Sequence, residues 1–235
     1  MEALLLSNST NFGNQYMEHA HEVIAQFLGD VKEVLFVPYA GVTVTYDAYT
    51  ATVQQALKQH DIRVISIHQV EDPSEAIKRA KAIAVGGGNT FRLVEQLYAN
   101  NVMQAIYDAV QNGAKYIGWS AGSNVAGPTL CTTNDMPIVE PPSFSCLNLV
   151  PFQINPHYSE ATIPNHGGES RVARIQEYVT INSRDVVCLP EGSWLEISGD
   201  KIGYFGNDAM KVYRGNSGAT STYDEISASS YFNRI

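Results

Sequence analysis

The first half of the chain alternates short apolar runs with amphipathic segments, and this alternation restricts the fold more than any other feature. The runs predicted to be strands cover residues 3–7, 33–38, 62–67, 82–86 and 115–119. The segments predicted to be helices cover residues 15–28, 45–60, 73–80, 90–100 and 103–112. Because continuously apolar strands belong in a parallel sheet with both faces covered, we expect a mostly parallel, doubly wound α/β fold with helices on both faces. Ligands of such folds bind beyond the carboxyl ends of the strands.

The second half has a different pattern, in which strands, a helix and a hairpin follow each other. We predict a strand at residues 152–155, a polar loop at 158–168, a helix at 169–180 and a strand at 186–189. Residues 194–198 and 201–205 flank Gly199-Asp200 and predict a C-terminal β-hairpin. No repeat or linker divides the sequence, so residues 1–235 are expected to form a single α/β domain. The tail after Gly215, rich in Ser, Thr, Asn and Tyr, is expected to be loosely held.

Charge and cysteine content argue against several classes of protein. The formal net charge is −9 and the Lys and Arg residues are scattered, which argues against a nucleic-acid binder. The apolar runs are shorter than the roughly 20 residues of a membrane span. Three cysteines without close spacing fit a reducing compartment, and we expect a cytoplasmic protein. Because the protein is acidic, an anionic substrate needs a local cation to hold it.

One turn has the layout of a nucleophile elbow. The apolar run that begins at Tyr116 ends at Ser120, which has Gly118 two residues before it and Gly122 two residues after it. Such a turn exposes a hydroxyl at the end of a strand, and its small neighbours allow the backbone to pack closely. The pattern favours covalent catalysis by Ser120, and a plain strand-to-helix turn is the alternative.

A second glycine cluster, Gly86-Gly87-Gly88-Asn89-Thr90, lies where another predicted strand ends. Backbone N–H groups in such a loop can approach an anion. We therefore interpret the cluster as half of an oxyanion hole, with the Ala121 amide as the other half. Phosphate binding is a competing interpretation, but the sequence lacks the Gly-Lys-Ser ending and the Gly-x-Gly-x-x-Gly spacing of phosphate loops. A tight turn without a ligand also stays open.

A serine hydroxyl needs a base and an orienting carboxylate before it becomes a good nucleophile. His157 follows a predicted apolar strand and is expected at the same rim as Ser120, whereas His166 in the polar loop is its rival. Glu191 also follows a strand and is the preferred acid. Asp135, in a polar turn, is the competing acid.

Five motifs in this order resemble the peptidase E family of α-aspartyl dipeptidases, serine peptidase family S51. The resemblance extends from the first strand to at least Trp194. The motifs are Gly86-Gly87-Gly88-Asn89-Thr90-Phe91, Gly118-Trp119-Ser120-Ala121-Gly122, Thr132-Thr133-Asn134-Asp135-Met136-Pro137, Gln153-Ile154-Asn155-Pro156-His157 and Leu189-Pro190-Glu191-Gly192. The resemblance implies an α/β fold like that of class I glutamine amidotransferases and the chain order Ser, His, Glu for the triad.

The resemblance also implies cleavage of dipeptides that begin with aspartate. In this interpretation the Gly88 and Ala121 amides receive the oxyanion. Arg171, which matches the family's substrate-binding arginine, holds the aspartate side chain through two parallel hydrogen bonds. Asp135 is a candidate for binding the substrate ammonium group, and Asn89 is a further candidate substrate contact. A helix-surface arginine paired with Glu169 or Glu177 is the alternative for Arg171, and Arg174 and Arg92 are weaker candidates for the substrate-binding cation.

Other activities stay open on the same scaffold. One is a cyanophycinase-like or isoaspartyl peptidase activity, and another is a non-catalytic member of the fold that binds an anion. No cofactor or metal is expected, because metal-ligating residue types do not cluster in the sequence. The pattern does not distinguish a monomer from a homodimer. The loop at residues 158–168 is expected to become ordered when a ligand binds.

Overall fold

The computed structural model describes residues 1–162 and 167–234, and its largest element is a seven-stranded sheet. The strands are β1 (Glu2–Leu6), β2 (Glu33–Val37), β3 (Arg63–Ser66), β4 (Ala82–Val85), β5 (Lys115–Trp119), β6 (Gln153–Tyr158), β7 (Val186–Pro190), β8 (Trp194–Ser198), β9 (Lys201–Phe205), β10 (Met210–Tyr213) and β11 (Thr220–Tyr223). The helices are α1 (His21–Leu28), α2 (Tyr46–Leu57), α3 (Pro73–Arg79), α4 (Thr90–Ala99), α5 (Met103–Gln111), α6 (Ala121–Asn124), α7 (Arg171–Ile181) and α8 (Glu225–Phe232). Short 3-10 helices cover Lys58–His60 and Ile67–Gln69.

The large sheet has the strand order β3-β2-β4-β5-β1-β8-β9. Its first five strands are parallel, while β8 and β9 are antiparallel and form the predicted hairpin at one edge. The expected mostly parallel α/β fold with a C-terminal hairpin is therefore confirmed. Because parallel strands end at a common edge, the residues that follow β4 and β5 lie side by side.

Apolar residues of the sheet alternate between two buried clusters. In β1, Leu4 and Leu6 belong to the cluster beneath α1 and α2, whereas Ala3 and Leu5 belong to the cluster on the opposite face. That opposite cluster includes residues of α3, α4 and α5. Helices therefore cover both faces, as continuously apolar strands require.

A second sheet of four strands, in the order β11-β10-β7-β6, packs on the same core. β6 and β7 are parallel, and β10 and β11 extend the sheet in antiparallel fashion. The sequence predicts β6 and β7 as strands but not this separate sheet, since an apolar run does not specify its pairing partner. Ile154 of β6 and Val187 of β7 contribute to the core cluster that the large sheet also lines.

The main differences from the prediction lie at two boundaries and in the C-terminal tail. Helix α1 begins at His21 rather than at residue 15, because residues 16–20 form turns in which Met17 has a φ of +58°. Strand β6 continues to Tyr158. The expectation of a loosely held tail is wrong: it forms β11 and α8, and the Tyr231 and Phe232 side chains are buried in the core. Among the described residues, no helix combines the length and the apolar character that crossing a membrane requires.

Candidate active site

Ser120 lies in a sharp turn between β5 and α6. Its φ is +53°, a left-handed conformation that is strained for a residue with a Cβ atom. The Ser120 amide donates to the Leu6 carbonyl at 3.2 Å, and the Ser120 carbonyl accepts from the Asn124 amide at 2.9 Å. A Cβ atom at Gly122 would lie 2.0 Å from the Val85 carbonyl oxygen, so only glycine permits this close approach. The strand-to-helix turn predicted around Ser120 is thus present.

His157 lies in a β-bulge near the end of β6. The register of β6 against β7 shifts between Asn155 and Tyr158, so β6 carries one extra residue there. His157 has a φ of +52°, and bulges commonly redirect one side chain. The sequence predicts that His157 follows the end of this strand, whereas the structure places His157 within β6, at the bulge.

Ser120, His157 and Glu191 form a continuous chain of hydrogen bonds. Nε2 of His157 lies 2.8 Å from Oγ of Ser120, and Nδ1 of His157 lies 2.9 Å from Oε1 of Glu191. The His157 and Glu191 side chains are partly exposed, so a substrate can reach them. With Nδ1–H donating to the carboxylate, Nε2 is free to accept the serine proton, which is the geometry of a serine-hydrolase triad.

Ser7 and Asn8, which directly follow β1, support the strands that carry His157 and Glu191. The buried Oγ of Ser7 accepts from the His157 amide at 2.8 Å and donates to the Leu189 carbonyl at 2.9 Å. Oδ1 of buried Asn8 accepts from the Gly192 amide at 2.7 Å. The Ser7 hydroxyl, at the end of β1, therefore binds both β6 and β7 of the small sheet. The sequence pattern does not indicate this role for Ser7.

The two predicted oxyanion donors flank Ser120. Gly88 follows β4 and lines the same cavity as Ser120 and His157, while Ala121 follows Ser120 directly. Within the described ranges, neither amide donates to a protein acceptor. Gly88 has a φ of +137°, and a Cβ atom there would lie 2.2 Å from the Ala40 carbonyl oxygen. The loop therefore needs glycine at this position.

Asp135 and Asn89 both contact the start of α4. Oδ2 of Asp135 accepts from the Thr90 amide at 2.7 Å, from the Thr90 hydroxyl and from the Thr133 hydroxyl. Oδ1 of Asn89 caps α4 by accepting from the Arg92 amide. Asn89 also lines the cavity at Ser120, whereas no hydrogen bond joins Asp135 to His157 in the described structure. Of the two competing acids, the geometry therefore brings Glu191 to the imidazole, and substrate binding by Asp135 and Asn89 stays a prediction.

Arg171, at the first position of α7, lines a cavity of about 360 Å³. Its Nη1 atom is buried and has no hydrogen-bond partner among the described residues. Burial lowers the pKa of the guanidinium from its usual value. Within residues 1–162 and 167–234 it forms no ion pair, so the alternative of a surface arginine paired with Glu169 or Glu177 does not describe it.

Asn155 lines the same cavity and is not predicted from the sequence as a site residue. Its Nδ2 donates to the Thr132 carbonyl and to Oδ1 of Asn134, each at 2.8 Å. Its Oδ1 is buried and accepts no hydrogen bond from the described residues. The cavity thus combines a donor on Arg171 and an acceptor on Asn155 that the described residues leave without a partner. The only available signal is the position of Asn155, two residues before His157.

A second cavity, of about 520 Å³, opens at Ser120 and His157. The side chains of Val42, Val44 and Ile138 line it, together with Gly88 and other uncharged residues. The sequence does not predict these apolar residues as part of the site, because they lie on two connecting segments far apart in the chain.

The remaining site predictions fall elsewhere. His166, the rival base, lies outside the described residues, and so does the middle of the loop expected to become ordered. One group of metal-ligating side chains does come together, contrary to the sequence expectation: His21, Glu22 and His60 meet where α1 contacts the end of α2. There Nδ1 of His21 contacts Nε2 of His60 and Nε2 of Gln59, each at 2.9 Å, so protein groups surround it.

Comparisons with known proteins agree with this geometry. A family model described as Peptidase family S51 matches residues 3–204. A protein named Peptidase E from Shewanella denitrificans is 47% identical over 216 residues, which cover 92% of each chain. Another Peptidase E, from Nostoc sp., is 49% identical over 213 residues, covering 90% of this chain and 88% of the relative. The crystal structure of a peptidase from an acI-B1 Actinobacterium superimposes with a TM-score of 0.69 at 16% identity and covers 95% of each chain, which is a likeness of fold.

Proposed function

Since the chain belongs to peptidase family S51 and is a serine peptidase of the peptidase E type, we propose that it hydrolyses dipeptides whose first residue is L-aspartate through an acyl-enzyme on Ser120. The observation that carries the proposal is the hydrogen-bonded chain from Ser120 through His157 to Glu191. It supplies a nucleophile, a base within reach of its proton and a carboxylate that orients the base.

The reaction begins when Oγ of Ser120 attacks the peptide carbonyl carbon and its proton passes to Nε2 of His157. Glu191 stabilises the resulting imidazolium through Nδ1–H. The tetrahedral intermediate collapses as the carbon–nitrogen bond breaks, and the imidazolium gives its proton to the leaving amine. Water, deprotonated by His157, then attacks the ester carbonyl carbon. The second tetrahedral intermediate collapses as the carbon–Oγ bond breaks, the imidazolium returns the proton to Oγ of Ser120, and aspartate is released.

The carbonyl oxygen gains negative charge in both tetrahedral intermediates. The amides of Gly88 and Ala121 are free to donate to it, because they have no protein acceptor in the described structure. A donor aimed at a developing oxyanion contributes roughly 3 to 4 kcal/mol of transition-state stabilisation. The strained Ser120 backbone and the close approach at Gly122 fix the Ala121 amide beside the nucleophile.

The aspartyl side chain is assigned to the cavity that contains Arg171. Arg171 has a buried guanidinium nitrogen without a hydrogen-bond partner among residues 1–162 and 167–234, which is costly unless an anion binds there. A substrate carboxylate satisfies that donor and accepts two parallel hydrogen bonds from the planar guanidinium. Oδ1 of Asn155, which accepts no hydrogen bond from the described residues, is an acceptor for the substrate ammonium group in the same cavity. Asp135, the candidate that the sequence gives for this role, is not among the described residues that line the cavity.

The nucleophile assignment is tested by hydrolysis of Asp-Leu with purified protein. Ser120→Ala is expected to lower kcat by about 10⁴-fold or more, because removing the nucleophile of a triad removes covalent catalysis. Circular dichroism and the thermal midpoint check that the variant is folded. Activity retained by folded Ser120→Ala would reject the nucleophile.

The aspartate specificity is tested by the ratio of kcat/KM for Asp-Leu to that for Asn-Leu, which has the same shape without the charge. Leaving a buried carboxylate unpaired costs roughly 2 to 4 kcal/mol, or roughly 30- to 1000-fold. Arg171→Ala is therefore expected to bring the ratio close to one, whereas Arg63→Ala, a change at an exposed arginine on β3, leaves it unchanged. Equal losses on both substrates would reject this role of Arg171, and preferential cleavage of β-aspartyl links would favour the isoaspartyl alternative.

We also propose that the protein works in the cytoplasm. Cys131, Cys146 and Cys188 are free thiols, and Cys131 is exposed. Exposed free thiols are maintained in reducing compartments. Fractionation of cells that express the protein, followed by immunodetection, tests this location.

A further inference from the structure

The cavity at Ser120 and His157 has an unusual wall for an exposed surface. Three apolar side chains line it and remain largely open to solvent: Val42 is 54% exposed, Val44 40% and Ile138 47%. Apolar side chains that are exposed together in a concave surface commonly mark a binding site. The lining residues, all within the described part of the chain, include no Lys, Arg, Asp or Glu.

The apolar wall comes from two segments that hydrogen bonds hold in place. Val42 and Val44 precede α2, whose N-cap Thr45 accepts from the Ala48 amide at 3.2 Å. Ile138 follows Met136, whose carbonyl accepts from Nδ2 of Asn89 at 2.9 Å. The wall is therefore preorganised at the mouth of the catalytic turn.

The mechanism determines which part of the substrate reaches this wall. Nε2 of His157 protonates the leaving amine, so the leaving residue must lie against His157. His157 lines the apolar cavity and is not among the described residues that line the Arg171 cavity. With the aspartyl side chain in the Arg171 cavity, the side chain of the second residue therefore faces Val42, Val44 and Ile138.

We propose that this cavity is the subsite for the leaving residue, and that it takes an apolar side chain such as that of leucine. This inference rests on the proposed function. Because the lining residues include no Lys or Arg, the subsite recognises the apolar side chain and not the free carboxylate of the leaving residue. The substrate class is thus an acidic first residue followed by an apolar second residue, and a C-terminal amide is accepted as well as a carboxylate.

The test is a panel of Asp-Leu, Asp-Ser, Asp-Lys and Asp-Leu-amide, with kcat/KM measured for each. Wild type is expected to prefer Asp-Leu over Asp-Ser by roughly tenfold or more, and to cleave Asp-Leu-amide within roughly threefold of Asp-Leu, since apolar pockets discriminate by contacts with a few carbon atoms. Val42→Ser and Ile138→Ser are each expected to lower the Asp-Leu to Asp-Ser ratio by roughly threefold to tenfold. Ile138→Val is expected to retain most of it.

Ile226→Ser is the matched control, because Ile226 is 88% exposed on α8 and lines neither cavity. It is expected to keep the wild-type ratio. The subsite is rejected if wild type does not distinguish Asp-Leu from Asp-Ser, if Ile138→Ser and Val42→Ser leave the ratio at its wild-type value, or if the amide is cleaved more than tenfold more slowly. A protein that cleaves none of these peptides would instead reject the proposed function.

Discussion

A single buried hydroxyl joins the two sheets at the candidate active site, and removing it tests how the triad is held. Oγ of Ser7 accepts from the His157 amide and donates to the Leu189 carbonyl. Ser7→Ala leaves one buried N–H and one buried C=O without these partners. Each unsatisfied group costs about 1 to 3 kcal/mol, so the loss of both partners is expected to lower the free energy of unfolding by about 2 to 6 kcal/mol.

The same substitution is expected to reduce catalysis, because the His157 amide belongs to the bulge that directs the imidazole. A displacement of the imidazole by about 1 Å would lower kcat by roughly 100-fold. KM for Asp-Leu should change little, since Ser7 does not line either cavity among the described residues. Urea unfolding gives the stability, and steady-state hydrolysis of Asp-Leu gives kcat and KM separately.

Ser193→Ala is the matched control for Ser7→Ala. Ser193 is also buried and lies in the same region, but its hydroxyl donates to the Pro190 carbonyl, which also accepts from the Ser193 amide and so keeps one partner in the variant. We expect it to cost about 1 kcal/mol and to leave kcat within roughly threefold of wild type. If Ser7→Ala costs no more stability than Ser193→Ala and keeps the wild-type kcat, the Ser7 hydroxyl does not hold the triad.

Three other perturbations test separate parts of the structure. Gly122→Ala places a Cβ atom 2.0 Å from the Val85 carbonyl oxygen, so it should lower the free energy of unfolding by about 3 kcal/mol or more and also lower kcat. An unchanged thermal midpoint would contradict this close approach. Phe232→Ala removes a buried ring that lies 5.7 Å from that of Phe152 and should cost about 3 kcal/mol in urea unfolding, whereas a loosely held tail would lose almost nothing. Burial lowers the pKa of His19, so the unfolded chain binds the proton more tightly than the folded chain, and the free energy of unfolding falls as the pH drops below about 6.5. Between pH 7.5 and 5.5, His19→Gln should therefore lose less stability than wild type, and identical pH profiles would refute this.

The sequence predicts the large sheet well because its signals are local. Each of the first five strands is a short apolar run, and the glycines around Ser120 report a turn that needs small residues. The strands that end beside Ser120 follow from the parallel topology alone. The presence of the glycine loop and the elbow at the same edge of the sheet could therefore be predicted without coordinates, whereas the strand order that makes them neighbours could not.

Three features of the site could not be predicted in the same way, because they depend on contacts distant in sequence. The separate small sheet arises from strand pairing, which the apolar pattern of β6 and β7 does not encode. The bulge at His157 is a difference of one residue in register. The apolar wall at Val42 and Ile138 brings together segments that are about 100 residues apart.

The structure of the tail differs from the expectation because its composition is polar while its few aromatic residues are buried. Tyr231 and Phe232 are adjacent in a Ser-rich segment, and both side chains reach the core. The average composition of a segment hides the contribution of single residues, whereas two buried aromatic rings are sufficient to anchor a short helix. Helix α8 also begins with a capping box at Asp224 and Ser227, a local signal that composition hides.

The division of the triad between two sheets makes inactivation a more sensitive event than denaturation. Ser120 belongs to the larger sheet, while His157 and Glu191 accompany the smaller one. A slight separation of the two sheets, as mild denaturant or pressure would produce, breaks the hydrogen bond between Ser120 and His157 while the helices stay folded. Turnover should therefore disappear at a lower denaturant concentration than the far-ultraviolet circular dichroism signal, and it should return when the denaturant is diluted.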